Sequence, residues 1–383
     1  NSGTGGAFDL DNVSVKEVIF DQPDGTLTLF EHPDDVPRVE WDADRNRLGL
    51  LVEESRGNLL TYSEDFSNSY WTKPGITTSA SGPVPPNGLG SSVDLSATAT
   101  NGAYIARSNL GSSGGSYTVS VFAKAGTHDI IRISNQSSST TGGWFDLTNG
   151  TTLTENGANN VSSIQYVGNG WYRCIRYFDS WINTNNAVLI GVSATDGSTG
   201  SVVGHTVSLW GAQLEVGAFP TSYIKTTGAT ATRSADVASI PVADFGYNQS
   251  AMTIFVEAAI NGINGTYPRY VQFSGSPNNF SLYHHPSLTR VVYDKGTVGS
   301  LAHSTTSSLG SFNKIAASAD ESGGAIDTSA GSLDTTSSTV DLSVSSLIYI
   351  GSSGSSNQLN GHIKSIKYYP RRLSNAQLVE LTS

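Results

Sequence analysis

The two-residue rhythm of the apolar positions is what most constrains the fold of this chain. In YTVSVFAKAG, residues 117–126, Tyr117, Val119, Val121 and Ala123 fall on one side, as a strand with one buried face requires. HDIIRISNQ, WFDLTNG and GWYRCIRYF follow, each bounded by Gly, Asn or Ser, and from Met252 a second series begins: MTIFVEAAING, RYVQFSG, NFSLYHH, TRVVYDKG, FNKIAASAD, SLIYIGSS and GHIKSIKYYP. Residues 59–225 carry no 3.6-residue period. Short strands separated by turn signals predict an all-β chain of antiparallel β-sandwiches. One helix is expected, at the carboxyl end. There Ser374 can cap, Gln377 completes a capping box, Leu373 and Leu378 can form a hydrophobic staple, and Leu378 and Leu381 face the sheet.

At 383 residues the chain exceeds one ordinary core, so two or three domains are expected. The 41 glycines and only 14% charged residues suit short strands and many turns. A net charge of -11, with no basic run, argues against nucleic acid, whose affinity depends on clustered Lys and Arg releasing counterions. No apolar stretch approaches the roughly 20 residues of a membrane-spanning helix, so no membrane insertion is expected. The single cysteine, Cys174, excludes an intrachain disulfide framework and reads as a small buried hydrophobe. The chain starts NSGTGG, with neither leader nor Met, which is expected of a processed chain or a fragment.

A phrase near the start repeats one in the middle. HTVSLWGAQLEVG, residues 205–217, is echoed by AFDLDNVSVKEV, residues 7–18: Leu10 lies on Leu209, Val13 on Ala212 and Val15 on Leu214. Residues 205–217 read as the closing strand of a sandwich, so residues 1–20 are expected to be the remnant closing strand of an upstream one. Residues 21–58 form a charged connector, residues 59–225 a first sandwich, residues 226–248 a small-residue hinge and residues 249–383 a second sandwich.

Catalytic constellations are not evident. Glycoside hydrolysis uses two carboxylates about 5–9.5 Å apart, whereas Glu53-Glu54, Asp34-Asp35 and Asp320-Glu321 are adjacent pairs that diverge on a strand or lie in turns. His284-His285 diverge likewise, and a metal site wants three or four converging ligands. No Gly-x-Ser-x-Gly elbow occurs, and Gly351-Ser352-Ser353-Gly354 reads as a hairpin loop. A triad assembled from distant residues stays open, and the balance leans against an enzyme. Sugar binding needs exposed aromatic faces with polar groups around them. The candidates are Tyr104, Trp144 and Trp181 in the first sandwich and Tyr267, Arg269, Tyr283 and His284 in the second. Trp71, Trp171 and Trp210 read as core.

Three resemblances add to this reading. RLGLLVEESRGNLLTYSEDFSNSYWTK (47–73), VGNGWYRC (167–174) and WGAQLEVGAFPTSYIKTTGATATRSADV (210–237) resemble a phrase set of tailed-phage tail-fibre and head-spike-fibre proteins, over about residues 36–240. NLLTYSEDFSNSYW is similar to the opening strand of carbohydrate-binding-module jelly rolls. LIYIGSSGSSNQLNGHIKSIKYYPRRLSNAQLVEL resembles the end of a laminin-G-like, concanavalin-A-like sandwich, with Gly351, Gly361, Ile363, Tyr368, Arg372, Leu373 and Ser374 matching in order.

Together the resemblances imply a jelly roll followed by a laminin-G-like sandwich, in a virion appendage at the virion surface that binds a host-surface or environmental glycan without catalysis. Other virion proteins are implied partners, as is a homo-oligomer, with a trimer favoured. The alternatives are a structural capsid-decoration or fibre protein and a polysaccharide depolymerase component. No cofactor is required. The carbohydrate-binding modules can hold a structural calcium between the opening turn and an Asp-Asn-Val element of the closing strand. Here the matching positions are Asp65 and Trp210, and an indole cannot ligate, so that calcium is not expected in the middle domain. Asp11-Asn12-Val13 is the better match, which assigns the calcium to the upstream module.

Overall fold

The computed structural model describes residues 36–383 apart from residues 43, 45, 111–114, 136–138, 182–186, 265–266, 275–279, 286–289, 295–299, 305–308, 330, 332, 338–341 and 343–345, and gives only the backbone of residues 290–294 and 300–304. The strand expected at residues 7–18, its Asp-Asn-Val element and the Asp34-Asp35 pair lie outside the described residues. The described chain is an all-β protein whose sheets are antiparallel throughout, with one short helix.

In the first sandwich, a six-stranded sheet carries β4 (Ile76–Ser79), β5 (Val93–Ala97), β7 (Tyr117–Ala125), β11 (Val161–Tyr166), β12 (Trp171–Phe178) and β14 (Thr206–Val216), ordered β11-β12-β7-β14-β5-β4. A five-stranded sheet, β10-β9-β8-β13-β6, packs over it from β6 (Tyr104–Ser108), β8 (Ile130–Ser134), β9 (Gly143–Asp146), β10 (Thr151–Glu155) and β13 (Ala187–Val192). Tyr117, Val119, Val121 and Ala123 of β7 all enter the core with Ile131 and Ile133 of β8 and Val188, Ile190 and Val192 of β13. Strict alternation breaks once in β14. Leu209, Ala212 and Leu214 all point inward because the register shifts between Trp210 and Gln213, where Gly211 takes φ +63°. Cys174 is in this core, where loss of water pushes its thiol well above its ordinary value.

The second sandwich has a six-stranded sheet ordered β16-β25-β18-β19-β20-β21, built from β16 (Ala238–Pro241), β18 (Arg269–Ser274), β19 (Phe280–His285), β20 (Arg290–Asp294), β21 (Ser300–Ser304) and β25 (Leu347–Ile350). Its partner is a seven-stranded sheet, β1-β2-β26-β17-β22-β23-β24. Four of its strands are β17 (Ala251–Ile260), β22 (Asn313–Asp320), β23 (Gly323–Thr328) and β24 (Asp334–Thr336), and a fifth is β26 (Gly361–Tyr369). The remaining two, β1 (Val39–Trp41) and β2 (Arg47–Val52), come from far upstream. The helix α1 (Asn375–Thr382) packs Leu378 and Leu381, with Leu373 before it, on the outer face of this sheet against Phe255, Ala316 and Ala325. Its capping box is formed as expected: Gln377 N–H donates to Ser374 Oγ and Ser374 N–H to Gln377 Oε1.

Strands β1 and β2 depart from the expected connector of residues 21–58. Leu50, Leu51 and Val52 pair with Ile363, His362 and Gly361, and Val52 is 1% exposed in the second core. A Cβ on Gly49, at φ +108°, would collide with the Ile363 carbonyl, so only glycine permits this approach. Charged neighbours disguised the strand in the sequence, and its partner lies at the other end of the chain.

Two passes of chain join the sandwiches, and they pair with each other. β3 (Arg56–Asn58) runs antiparallel to β15 (Ala231–Arg233). Beside them the Glu53 carboxylate, 7% exposed, accepts from Arg38 Nη1 (2.8 Å), Ser222 N–H (2.9 Å) and Ser222 Oγ (2.8 Å), with Arg233 Nη2 at 3.4 Å. Asp236 accepts from the Glu53 N–H and from Arg38. Glu54 turns the other way, as adjacent residues of an extended chain must, and accepts from Asn264 Nδ2 and Asn360 Nδ2, both at 3.1 Å. Phe219 closes the joint: Arg56 stacks 4.7 Å from its centroid, and a Cβ on Gly262 would collide with its ring.

Burial raises the Glu53 carboxyl, but Arg233, Arg38 and the Ser222 hydrogen bonds outweigh it, so Glu53 lies below its ordinary value. A lowered carboxylate contributes stability that is fully present above the ordinary glutamate value and lost as pH falls through the lowered one. Glu53→Ala is expected to cost about 1–3 kcal/mol in chemical denaturation, because it leaves part-buried Arg38 and Arg233 with Asp236 as their remaining carboxylate partner among the described residues. Glu53→Gln is expected to lose stability less steeply on acidification. An acid slope equal to the parent's would remove Glu53 from this role.

Candidate binding face on the second sandwich

The outer face of the six-stranded sheet is set by parity. On β18, Val271 and Phe273 are core, which turns Gln272 outward; on β19, Phe280, Leu282 and His284 point in, which turns Tyr283 and His285 out. On β25, Ile348 is core and Tyr349 is directed outward, paired with Gln272. A register shift between Arg269 and Val271 keeps Arg269 on the same side as Gln272, facing Tyr283. The result is one surface carrying Tyr267, Arg269, Gln272, Tyr283, His285 and Tyr349.

These side chains brace one another. The Tyr267 ring meets Tyr283 edge-on at 5.6 Å and His285 at 5.1 Å. The Arg269 guanidinium lies 4.2 Å from the Tyr283 centroid and donates from Nε to Gln272 Oε1 (3.2 Å) and from Nη1 to the Tyr267 carbonyl (3.4 Å). Stacking of this kind is worth about 0.5–1 kcal/mol at an exposed position, enough to favour one arrangement of the rings. Tyr267 is 43% exposed, and its ring offers an apolar face beside the donors of Arg269 and Gln272. Such a surface can place a ring on the C–H face of a sugar while guanidinium and amide groups reach its hydroxyls.

Of the sequence candidates, the fold brings together Tyr267, Arg269 and Tyr283. His284 does not reach this face, and His285 lies on it instead. His284 is 6% exposed and points inward, where burial first and then the neighbouring His285 push its imidazole below the ordinary value and favour the neutral ring. Gln272 and Tyr349 were not singled out, although their alternation with core residues marks them.

The first-sandwich candidates do not form a surface. Trp144 is 0% exposed because residues 193–200 cover it: its Nε1–H donates to Ser198 O (2.8 Å) and Ser193 Oγ (3.1 Å). Trp181 is 1% exposed, donates to Leu110 O (2.7 Å) and packs on Tyr117 and Phe178. Buried indoles cannot stack on a ligand. Tyr104 is half-buried at the start of β6, in the other sandwich from the tyrosine cluster. Trp71, Trp171 and Trp210 are buried, the last two in an outer cluster with Phe122. Asp65 caps its own turn, accepting from the N–H groups of Ser67 and Asn68. Among the described residues, no group of three or more His, Cys, Asp or Glu side chains converges as metal ligands would.

The class these features define is an all-β protein of antiparallel sandwiches. No family model matches the chain, and neither does any curated protein. Among solved structures it is similar to the native heptameric SAP-like pentraxin from Limulus polyphemus, at 12% identity and TM-score 0.29, covering 36% of this chain and 73% of that one. It is also similar to domains LG4-5 of the mouse laminin alpha1 chain, at 10% identity and TM-score 0.28, covering 69% of this chain and 84% of that one. The LG1-3 region of the laminin alpha2 chain stands at 11% identity and TM-score 0.30, covering 73% of this chain and 66% of that one. Similarity at this level carries no argument, and the fold rests on the strand registers themselves.

Because their indoles fill packed interior space, Trp144→Ala and Trp181→Ala are each expected to cost about 3–5 kcal/mol in chemical denaturation. Tyr283→Ala, on the outer face, is expected to stay within about 1 kcal/mol of the parent. Equal losses from all three would refute the division into core and surface aromatics.

Proposed function

We propose that the chain is a non-catalytic glycan-binding protein, with the outer face of the six-stranded sheet as its binding surface. The observation that carries this is the convergence of Tyr267, Tyr283 and Tyr349 with Arg269, Gln272 and His285 on one sheet face. Aromatic faces bounded by planar donors suit a saccharide, whose surface alternates C–H patches with hydroxyls. Fold alone would not support the reading, because sandwiches host many functions. The resemblance of residues 36–240 to tail-fibre and head-spike-fibre phrases extends the proposal to a virion appendage, exposed on the particle and attaching it to a host-surface or environmental polysaccharide.

A second reading is favoured by the joint. Paired chain passes, a buried ion cluster and the Phe219–Gly262 contact make a stiff connection of the kind a shaft or capsid decoration needs, in company with other virion proteins and in a symmetric assembly, a trimer first among them.

A glycan array with the purified chain tests the first reading. Binding to at least one neutral saccharide is expected, weakened about tenfold by Tyr283→Ala or Arg269→Ala with melting temperature unchanged, as loss of a stacking or charge-assisted contact implies. Absence of any binding by the parent, together with a stable trimer by mass measurement, would replace it with the structural reading.

A further inference from the structure

Opposite the tyrosine face, on the outside of the seven-stranded sheet, a cleft of about 410 Å³ opens where β26 ends and α1 folds back. Lys314, Lys367, Tyr369, Arg371, Gln377 and Glu380 line it. Its charge is out of character for a chain of net -11: three cations converge here against one acidic side chain.

The neighbouring cations show what is unusual about these. Lys364 is paired with Glu257 at 3.5 Å and Arg372 with Asp320 at 2.9 Å. Lys314 donates to the Ser383 carbonyl oxygen. Lys367 and Arg371 have no carboxylate partner among the described residues, and Lys367 instead lies 5.0 Å from the centroid of the Phe255 ring. Phe255 belongs to the apolar cluster under α1, and the Lys367 ammonium lies over its ring as a cation–π contact at the cleft wall. Tyr369 packs against the same cluster, which fixes its position, and Gln377 sits in the first turn of the helix with an exposed amide. The cleft thus sets two cations near an aromatic ring, with an amide and a carboxylate among its lining groups.

We propose that this cleft binds an acidic saccharide, a sugar whose ring carries a carboxylate. The carboxylate lies between Lys367 and Arg371, the sugar ring lies against Tyr369, and hydroxyls reach Gln377 and Glu380. Arg371 supplies the planar fork that matches a carboxylate, and Lys367 supplies a point charge. The saccharide class rests on the glycan-binding reading above, whereas the acidic group rests on the cleft's own charges.

Isothermal titration of the full chain with a glucuronate tetrasaccharide tests the proposal. Binding is expected to weaken about tenfold or more in Lys367→Ala/Arg371→Ala, two exposed positions whose loss leaves the melting temperature in place. It is also expected to weaken as salt rises from about 0.05 M to about 0.5 M, since exposed charges are screened. Lys225→Ala, which removes an exposed cation of the first sandwich paired with Glu64 at 2.9 Å, is expected to leave it unchanged. No binding of the tetrasaccharide, or binding indifferent to the double variant, overturns the proposal. Tighter binding of an oligoglutamate peptide than of the tetrasaccharide also overturns it, since the cleft would then read charge without a sugar. The two glycan readings fail separately: neutral-glycan binding insensitive to Tyr283→Ala removes the outer-face site and leaves the cleft standing.

Discussion

Glu53 stands at the point where the second sandwich hands the chain to the first. Its carboxylate gathers Arg38 from before β1, Ser222 from after β14 and Arg233 from β15, and its N–H is held by Asp236. Two charges of one sign and two of the other are brought together part-buried, an arrangement that is tolerable because both Glu53 oxygens accept hydrogen bonds. The pairing of β3 with β15 and the seating of Phe219 on Gly262 both depend on those same few residues being held in register.

Much of this was legible in the sequence where burial is one-sided. Alternation located the faces of β7, and the step of three from Leu209 to Ala212 was already the mark of a bulge, since strict alternation would have sent one of them outward. The cap of α1 was readable because Ser374 and Gln377 act within one turn. What stayed hidden depends on partners distant in the chain. RLGLLV looks like part of a charged connector until Ile363 and His362 are placed beside it. Trp144 follows two glycines in what reads as a loop edge, yet residues 193–200 close over it. His284 and His285 could have been told apart by parity with Phe280 and Leu282, a local signal present in NFSLYHH.

The second sandwich treats its two outer faces differently. One carries α1, whose Leu378 and Leu381 cover Phe255 and Ala316, so that the apolar outer positions of β17 and β22 need not meet water. The other shows no helix among the described residues, and its described outward positions include tyrosines, an arginine, a glutamine and a histidine, side chains with an apolar body and a polar end. Amphipathic residues of this kind tolerate exposure while still shielding the sheet beneath them.

The pairing of β2 with β26 also orders events in time. Glu40 and His362, in contact through a 2.8 Å hydrogen bond, are 322 positions apart in the chain, and the entire first sandwich lies between them. Contacts of such separation form late, because a long loop must close before they return any stabilisation. Residues 56–233 can collapse around their own core as they leave the ribosome, while β1 and β2 wait as unsatisfied strands. β26, the last described strand, joins β1 and β2, the first ones described, to the rest of the sheet. The β2–β26 pairing therefore forms only after residue 363 has been made, whereas the β3–β15 joint can close earlier.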